Sequence, residues 1–126
     1  SYIDVKKAKA VPTLEEEWPG IIENYGMDTV TAIIKREKEE SGYYQFSHEN
    51  LARHYFNKNR ELSKQIIDHY CEMYPESWRG PYLRGIFAFN LGQEKEGKKF
   101  YKEALKMSPP DYMTDFLKSQ SYYIWQ

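Results

Sequence analysis

The chain has 126 residues, which corresponds to one domain at the usual size of about 100–200 residues. Its 18 Lys and Arg balance 19 Asp and Glu, and this net charge of −1 argues against a general binder of nucleic acid or anionic membranes, which needs a basic excess. The mean hydropathy is −0.85, and no apolar run approaches the ~20 residues that a membrane-spanning helix needs. The single cysteine excludes an internal disulfide framework and a Cys-based zinc cluster.

Residues 1–12, SYIDVKKAKAVP, carry no helical signal and are predicted to form a linker or an extended arm. The chain starts at Ser1 without a methionine, so we expect a processed chain or an excised fragment. Periplasmic and cytoplasmic locations both stay open.

Residues 13–43 are predicted to form a degenerate pair of helices. Thr13 and Glu16 match a capping box, which marks the start of the first helix. Gly26 interrupts the pattern and Asp28 starts it again, so we expect a second helix with an apolar stripe.

Residues 44–76 are predicted to form a second helical pair. The polar turn Asn57-Lys58-Asn59 separates two stretches of apolar residues at helical spacing, and Pro75 ends the second stretch. The apolar positions are Leu51, Ala52, Tyr55 and Phe56 in the first stretch, then Ile66, Ile67, Tyr70 and Met73 in the second.

Residues 77–111 are predicted to form a third pair, and Pro109 lies 34 residues after Pro75. Gly85 allows two helices to approach closely, Gly92 allows the turn between them, and Pro109 ends the second helix. Gly97, Tyr101 and Ala104 complete the pattern of small and aromatic positions.

Residues 112–126 restart the helical pattern after Pro110, and no partner helix follows. We therefore expect a capping helix that covers the apolar face of the third pair. The residues expected to cover it are Met113, Phe116, Leu117 and Tyr123.

The spacing from Gly85 to Pro109 resembles a tetratricopeptide repeat (TPR) over residues 77–110, with a second over residues 44–76. The resemblance implies an all-α fold for residues 13–126, a short right-handed α-solenoid of TPR-like helix-turn-helix units with a C-terminal capping helix. The sequence departs from the repeat at three positions, where the repeat prefers tryptophan, leucine and tyrosine: Pro81, Arg84 and Ala88.

A wider stretch, from about Glu15 to Tyr112, resembles the helical tail behind some bacterial serine hydrolases of β-lactamase-like or α/β-hydrolase-like type. This resemblance implies a C-terminal accessory domain that shapes the active site or the dimer of a parent hydrolase. It rests on Tyr44, Phe46, Glu49 to Ala52, Tyr55, Tyr74 to Ser77 and the Gly85-to-Pro109 unit.

The histidines do not form a catalytic or metal-binding pattern. His48 and His54 are six residues apart, not the four that place two ligands on one helix face. His69 and Cys71 are two apart on a predicted helix, so their side chains diverge and cannot act as base and nucleophile. We expect no catalytic residue, no metal ligand and no cofactor.

The candidate binding surface lies on the first helices of the second and third pairs. Helical spacing places Glu49, Arg53, Phe56 and Asn57 on one face, and Tyr82, Ile86, Phe89 and Asn90 on another. The predicted binding residues are Glu49, Arg53, Tyr82, Ile86 and Phe89. The alternative is that Ile86 and Phe89 pack on a neighbouring helix.

These patterns predict a non-catalytic helical-repeat module for protein–protein interaction or assembly. The resemblance to the tails of bacterial serine hydrolases implies that the module is part of a larger bacterial protein. The alternative is the accessory domain of a serine hydrolase. The expected partner is a protein or peptide, including a parent catalytic domain in cis or a second copy of the chain, and we expect neither nucleic acid nor a membrane span.

Overall fold

The computed structural model describes residue 20, residues 22–29, residue 32 and residues 44–126. These residues form helices joined by turns and contain no strand, which confirms the predicted all-α class. Their organisation as a right-handed solenoid of TPR-like units stays a prediction. The predicted arm, residues 1–12, and most of the predicted first pair lie outside the described residues.

The chain divides into two compact units, residues 1–50 and residues 51–126. In the first unit, residues 22–29 are helical, and the Thr29 hydroxyl donates a hydrogen bond to the carbonyl of Tyr25 at 3.1 Å. Gly26, where the sequence predicts an interruption, has a φ of 82°, in the left-handed region that glycine adopts without a steric cost.

Five helices follow along the described chain. Helix α1 spans Tyr44–Tyr55, α2 spans Arg60–Met73, α3 spans Arg79–Asn90, α4 spans Glu94–Leu105 and α5 spans Asp111–Lys118. Helix α3 packs against α2 and α4, and α5 packs against α4. The core of the second unit therefore centres on α3.

The turn between α1 and α2 is fixed by polar side chains. The Asn59 side-chain oxygen caps α2 by accepting a hydrogen bond from the Leu62 amide at 3.2 Å. The buried Ser63 hydroxyl donates to the carbonyl of Ala52 at 2.6 Å, which ties the second helix to the first. The apolar face of α2 is buried at Ile66, Ile67 and Tyr70.

Helices α3 and α4 approach closely because two glycines face aromatic rings. A Cβ atom at Gly85 would lie 2.5 Å from the ring of Tyr101, and one at Gly97 would lie 2.7 Å from the ring of Phe89. Gly92, in the turn between these helices, has a φ of 80°. The predicted close approach at Gly85 and the glycine turn at Gly92 are both present.

The C-terminal end differs from the predicted capping helix over residues 112–126. Helix α5 ends at Lys118, Gln120 adopts a left-handed φ of 60°, and residues 121–126 continue without helical structure. Met113 and Leu117 are buried as expected, whereas Tyr123 is 57% exposed. The helix ends in a local backbone cap, in which the Gln120 N–H donates to the Leu117 carbonyl and the Ser121 N–H donates to the Phe116 carbonyl. The main chain beyond this cap forms hydrogen bonds with side chains of α3 and α4, which helical periodicity cannot predict.

Candidate functional site

The five residues predicted to line the binding surface differ in exposure. Arg53 is exposed and Glu49 is half-buried, whereas Tyr82, Ile86 and Phe89 are 3%, 0% and 6% exposed. Glu49 belongs to the unit of residues 1–50, and the other four belong to the unit of residues 51–126. The structure therefore leaves Arg53 open to solvent and covers the three residues of α3. Their role in binding stays a prediction.

The aromatic face of α3 is covered by the C-terminal end of the chain. The ring of Phe116, in α5, lies edge-on to that of Tyr82, with the ring centroids 6.3 Å apart. The ring of Tyr122 stacks on that of Phe89, with centroids 4.8 Å apart and planes 6° apart. The face that the sequence assigns to a partner thus contacts a segment of the same chain.

The backbone of this C-terminal segment (residues 119–126) forms hydrogen bonds with side chains of the helices. The Tyr101 hydroxyl donates a hydrogen bond to the carbonyl of Ser121 at 2.7 Å. The Asn90 amide nitrogen donates to the carbonyl of Tyr123 at 3.0 Å, and the Asn90 amide oxygen accepts from the Trp125 N–H at 2.8 Å. The bonded residues alternate along the chain, as they do when an extended segment presents one edge to its neighbour.

Trp125 anchors the segment by its side chain. The indole is 3% exposed and meets the Phe56 ring edge to face, with centroids 5.8 Å apart. The Asn57 amide nitrogen also donates to the carbonyl of Trp125 at 3.3 Å. The preceding residue, Ile124, is 62% exposed. One buried aromatic residue therefore fixes the segment, while its neighbour points into solvent.

The residues that hold the segment recur in the two predicted repeats. Phe56-Asn57 follows Ala52 at the same offset at which Phe89-Asn90 follows Gly85. Each phenylalanine contacts an aromatic ring of the segment, and each asparagine forms hydrogen bonds with its backbone. We call these four residues the Phe-Asn surface.

The sequence pattern groups Asn57 and Asn90 with the candidate binding residues but does not select them as binding residues. Asn90 ends α3 as expected, whereas Asn57 lies in the turn after α1 and not on a helical face. Sequence reasoning missed Tyr122 and Trp125 because residues 112–126 were predicted to be helical throughout. Two features of the sequence could have indicated this surface. One is the Phe-Asn pair that recurs at the same offset in both predicted repeats, and the other is the uncharged, aromatic-rich stretch at residues 121–126.

A second concave region lies between α2, α3 and α4, with a volume of about 560 Å³. Three cations line it, and each is already bonded within the protein. Asp68 accepts hydrogen bonds from Lys64 at 3.3 Å and from Arg84 at 3.2 Å. Arg60 donates to the carbonyl of Phe56 at 2.7 Å. The cleft is lined by ion pairs whose side chains are 41–59% exposed, and these charged groups are already paired with one another. It is therefore a weaker candidate for binding than the Phe-Asn surface.

Cys71 has the character of a packing residue. Burial raises the pKa of its thiol above the ordinary value; nearby Arg84 opposes the rise and Asp68 adds to it. The thiol sulfur lies 3.0 Å from where a Cβ atom at Gly80 would be, so it fills the contact between α2 and α3. A protonated, half-buried thiol is a poor nucleophile. Within the described residues, no three metal-binding side chains come together.

None of the described helices has the length and apolar character that crossing a membrane requires. Comparison with protein-family models, with curated proteins and with solved structures gave no significant match.

Proposed function

We propose that this chain is a non-catalytic helical module for protein–protein interaction, and that it binds extended segments of other proteins at the Phe-Asn surface. The resemblance of residues 44–76 and 77–110 to TPR units supports the proposal, because the first helices of stacked helical pairs line the binding face of such domains.

The observation that carries the proposal is the double hydrogen bond between Asn90 and the backbone of residues 123 and 125. A carboxamide that both donates to and accepts from a main chain recognises an extended peptide whatever its side chains are. Backbone hydrogen bonds of this kind provide affinity, and side-chain pockets next to them provide selectivity. Asn57 extends the same recognition to the carbonyl of residue 125.

The aromatic rings around the two asparagines supply the selective part of the surface. The rings of Phe56 and Phe89 contact Trp125 and Tyr122 with centroid distances of 5.8 and 4.8 Å. Aromatic pairs at such distances contribute about 0.5–1.5 kcal/mol each beyond the area that they bury. The surface is therefore suited to an uncharged aromatic segment.

The test is selection from a displayed random-peptide library on the full chain carrying Trp125→Ala, which weakens the hold of the C-terminal segment. We expect peptides to be enriched on this variant and lost when Asn57→Ala and Asn90→Ala are added. Gln65→Ala is the matched control, because Gln65 is an exposed amide on α2. Absence of enriched peptides on a folded variant would contradict the proposed function.

A second candidate function is the accessory domain of a serine hydrolase. It is favoured by exposed apolar side chains at the C-terminal end, because Tyr112, Tyr123 and Ile124 are 69%, 57% and 62% exposed. A parent hydrolase carrying Tyr112→Ser and Ile124→Ser should then lose its dimer in sedimentation velocity or change its KM. A parent enzyme with unchanged assembly and kinetics would remove this candidate.

A further inference from the structure

We propose that the C-terminal segment is a built-in competitor for the Phe-Asn surface. The partner that replaces it is an extended protein segment carrying a tryptophan, with a second aromatic residue three positions before that tryptophan. This inference rests on the proposed function and names both the class of ligand and the regulation of the site.

The chemistry of the ligand follows from the bound segment. Hydrogen bonds reach the backbone at residues 121, 123 and 125, so a ligand must be extended over five residues. The tryptophan position is the selective one, since its side chain is almost completely buried against Phe56. The aromatic position three residues earlier stacks on Phe89. The backbone N–H at the tryptophan position donates a hydrogen bond to Asn90. Proline lacks this N–H, so a ligand cannot carry proline at that position.

The positions between these contacts place few demands on the ligand. Tyr123 and Ile124 are more than half exposed. The bonds also lie at internal residues of the segment, so they do not require a free chain end. Internal loops and tails of a partner protein therefore both meet the requirements.

The segment is attached in a way that permits release. Its junction with α5 is a locally capped helix end: Gln120 has a φ of 60°, its N–H donates to the Leu117 carbonyl at 3.1 Å, and the Ser121 N–H donates to the Phe116 carbonyl at 3.4 Å. Helix α5 therefore ends without help from the rest of the segment.

Helices α2, α3, α4 and α5 contact one another directly. Phe89 and Tyr101 belong both to the contact between α3 and α4 and to the contact with the segment. Release would expose Trp125 and Tyr122 and would uncover the Phe56 and Phe89 rings against which they pack, while the direct contacts between the helices would remain.

Tethering gives the segment an advantage over any free peptide. A short flexible connection raises the local concentration of a tethered ligand to about the millimolar range, so it competes strongly with dissolved peptides. The wild-type chain should therefore bind a short peptide weakly. A substitution that weakens docking of the C-terminal segment should therefore increase the affinity of the Phe-Asn surface for a free peptide.

The experiment uses a fluorescein-labelled, C-terminally amidated peptide of sequence SYYIWQ, which copies residues 121–126. Its binding to the full chain is followed by fluorescence anisotropy. We expect the Trp125→Ala variant to bind the peptide at least about tenfold more tightly than the wild type does. The gain should disappear when Asn90→Ala is added and persist with Gln65→Ala. A peptide with alanine in place of tryptophan should not bind.

Circular dichroism verifies that each variant is folded before binding is measured. Equal binding of SYYIWQ to wild type and to folded Trp125→Ala, or none to either, would overturn the competitor proposal. If random peptides are enriched on Trp125→Ala but SYYIWQ does not bind it, the proposed class of tryptophan-containing ligands is wrong, whereas the proposed function stands. If the wild type dimerises in sedimentation velocity and Trp125→Ala does not, the segment binds a second copy, which also overturns the proposal.

Discussion

Helix α3 takes part in two interfaces of different character. Its contact with α4 depends on shape, because glycines at 85 and 97 leave room for the rings of Tyr101 and Phe89. Its contact with the C-terminal segment depends on the amide of Asn90 and on aromatic stacking. The first interface is a packed interior, and the second resembles the binding of a peptide ligand.

This difference indicates which parts of the molecule unfold together. A substitution between α3 and α4 acts on the whole second unit, because that interface belongs to its core. The competitor proposal requires the helices to remain packed when the segment leaves, so it predicts that a substitution in the segment acts only on docking. The loss of stability at the segment is therefore limited by the free energy of docking.

The largest effect is expected from Gly85→Ala. The new Cβ would lie 2.5 Å from the Tyr101 ring, which is 1% exposed and has no room to move. We expect the free energy of unfolding to fall by about 1–3 kcal/mol, as for other overpacked cores. Urea unfolding followed by circular dichroism measures it. An unchanged midpoint would mean that α3 and α4 do not approach as closely as described.

Trp125→Ala should cost less than its burial suggests. A fully buried tryptophan replaced by alanine in a core typically costs about 3–5 kcal/mol. Here we expect about 1–2 kcal/mol, because the segment can detach and leave the helical core intact. The measurement is the same urea titration. A loss within the range typical of a core residue would show that the segment is an inseparable part of the fold.

The contrast between the two interfaces also explains which parts were predictable. Local periodicity and the glycine positions predicted the helices within residues 44–111 and the close contact at Gly85. Local periodicity could not predict the conformation of the C-terminal segment. Its backbone is held by hydrogen bonds to Asn90 and Tyr101, which lie 20 to 35 residues earlier in the sequence. Phe89 is buried on two sides, by Gly97 and Tyr101 of α4 and by Tyr122 of the segment. Its contact with α4 agrees with the alternative interpretation, in which Phe89 packs on a neighbouring helix.

Asn90→Ala should have a smaller effect and should not add to that of Trp125→Ala. Loss of the side-chain hydrogen bonds to residues 123 and 125 should cost about 1 kcal/mol. In the double variant, the segment is already detached, so the second substitution adds little. A double-mutant cycle in urea tests this non-additivity. Simple addition of the two losses would mean that each residue stabilises the core independently.

The smallest effect concerns Cys71, which packs against Gly80 away from the segment. Because burial raises the pKa of this thiol, the thiolate fraction at neutral pH is below that of an unhindered cysteine, and alkylation should begin at higher pH. The iodoacetamide reaction rate against pH measures this. We expect the same profile in the wild type and in Trp125→Ala. A faster reaction in the variant would show that releasing the segment loosens the contact between α2 and α3.

The central claim is that the C-terminal segment docks on the Phe-Asn surface as a separable ligand. Amide hydrogen exchange measured by NMR tests it most directly, because the Trp125 N–H is bonded to Asn90 and the amides of α3 are bonded within the helix. We predict that the Trp125 amide is protected but opens at a lower free energy than the most protected amides of α3. Equal opening free energies at both sites, or exchange of the Trp125 amide as fast as in a free peptide, would contradict the claim.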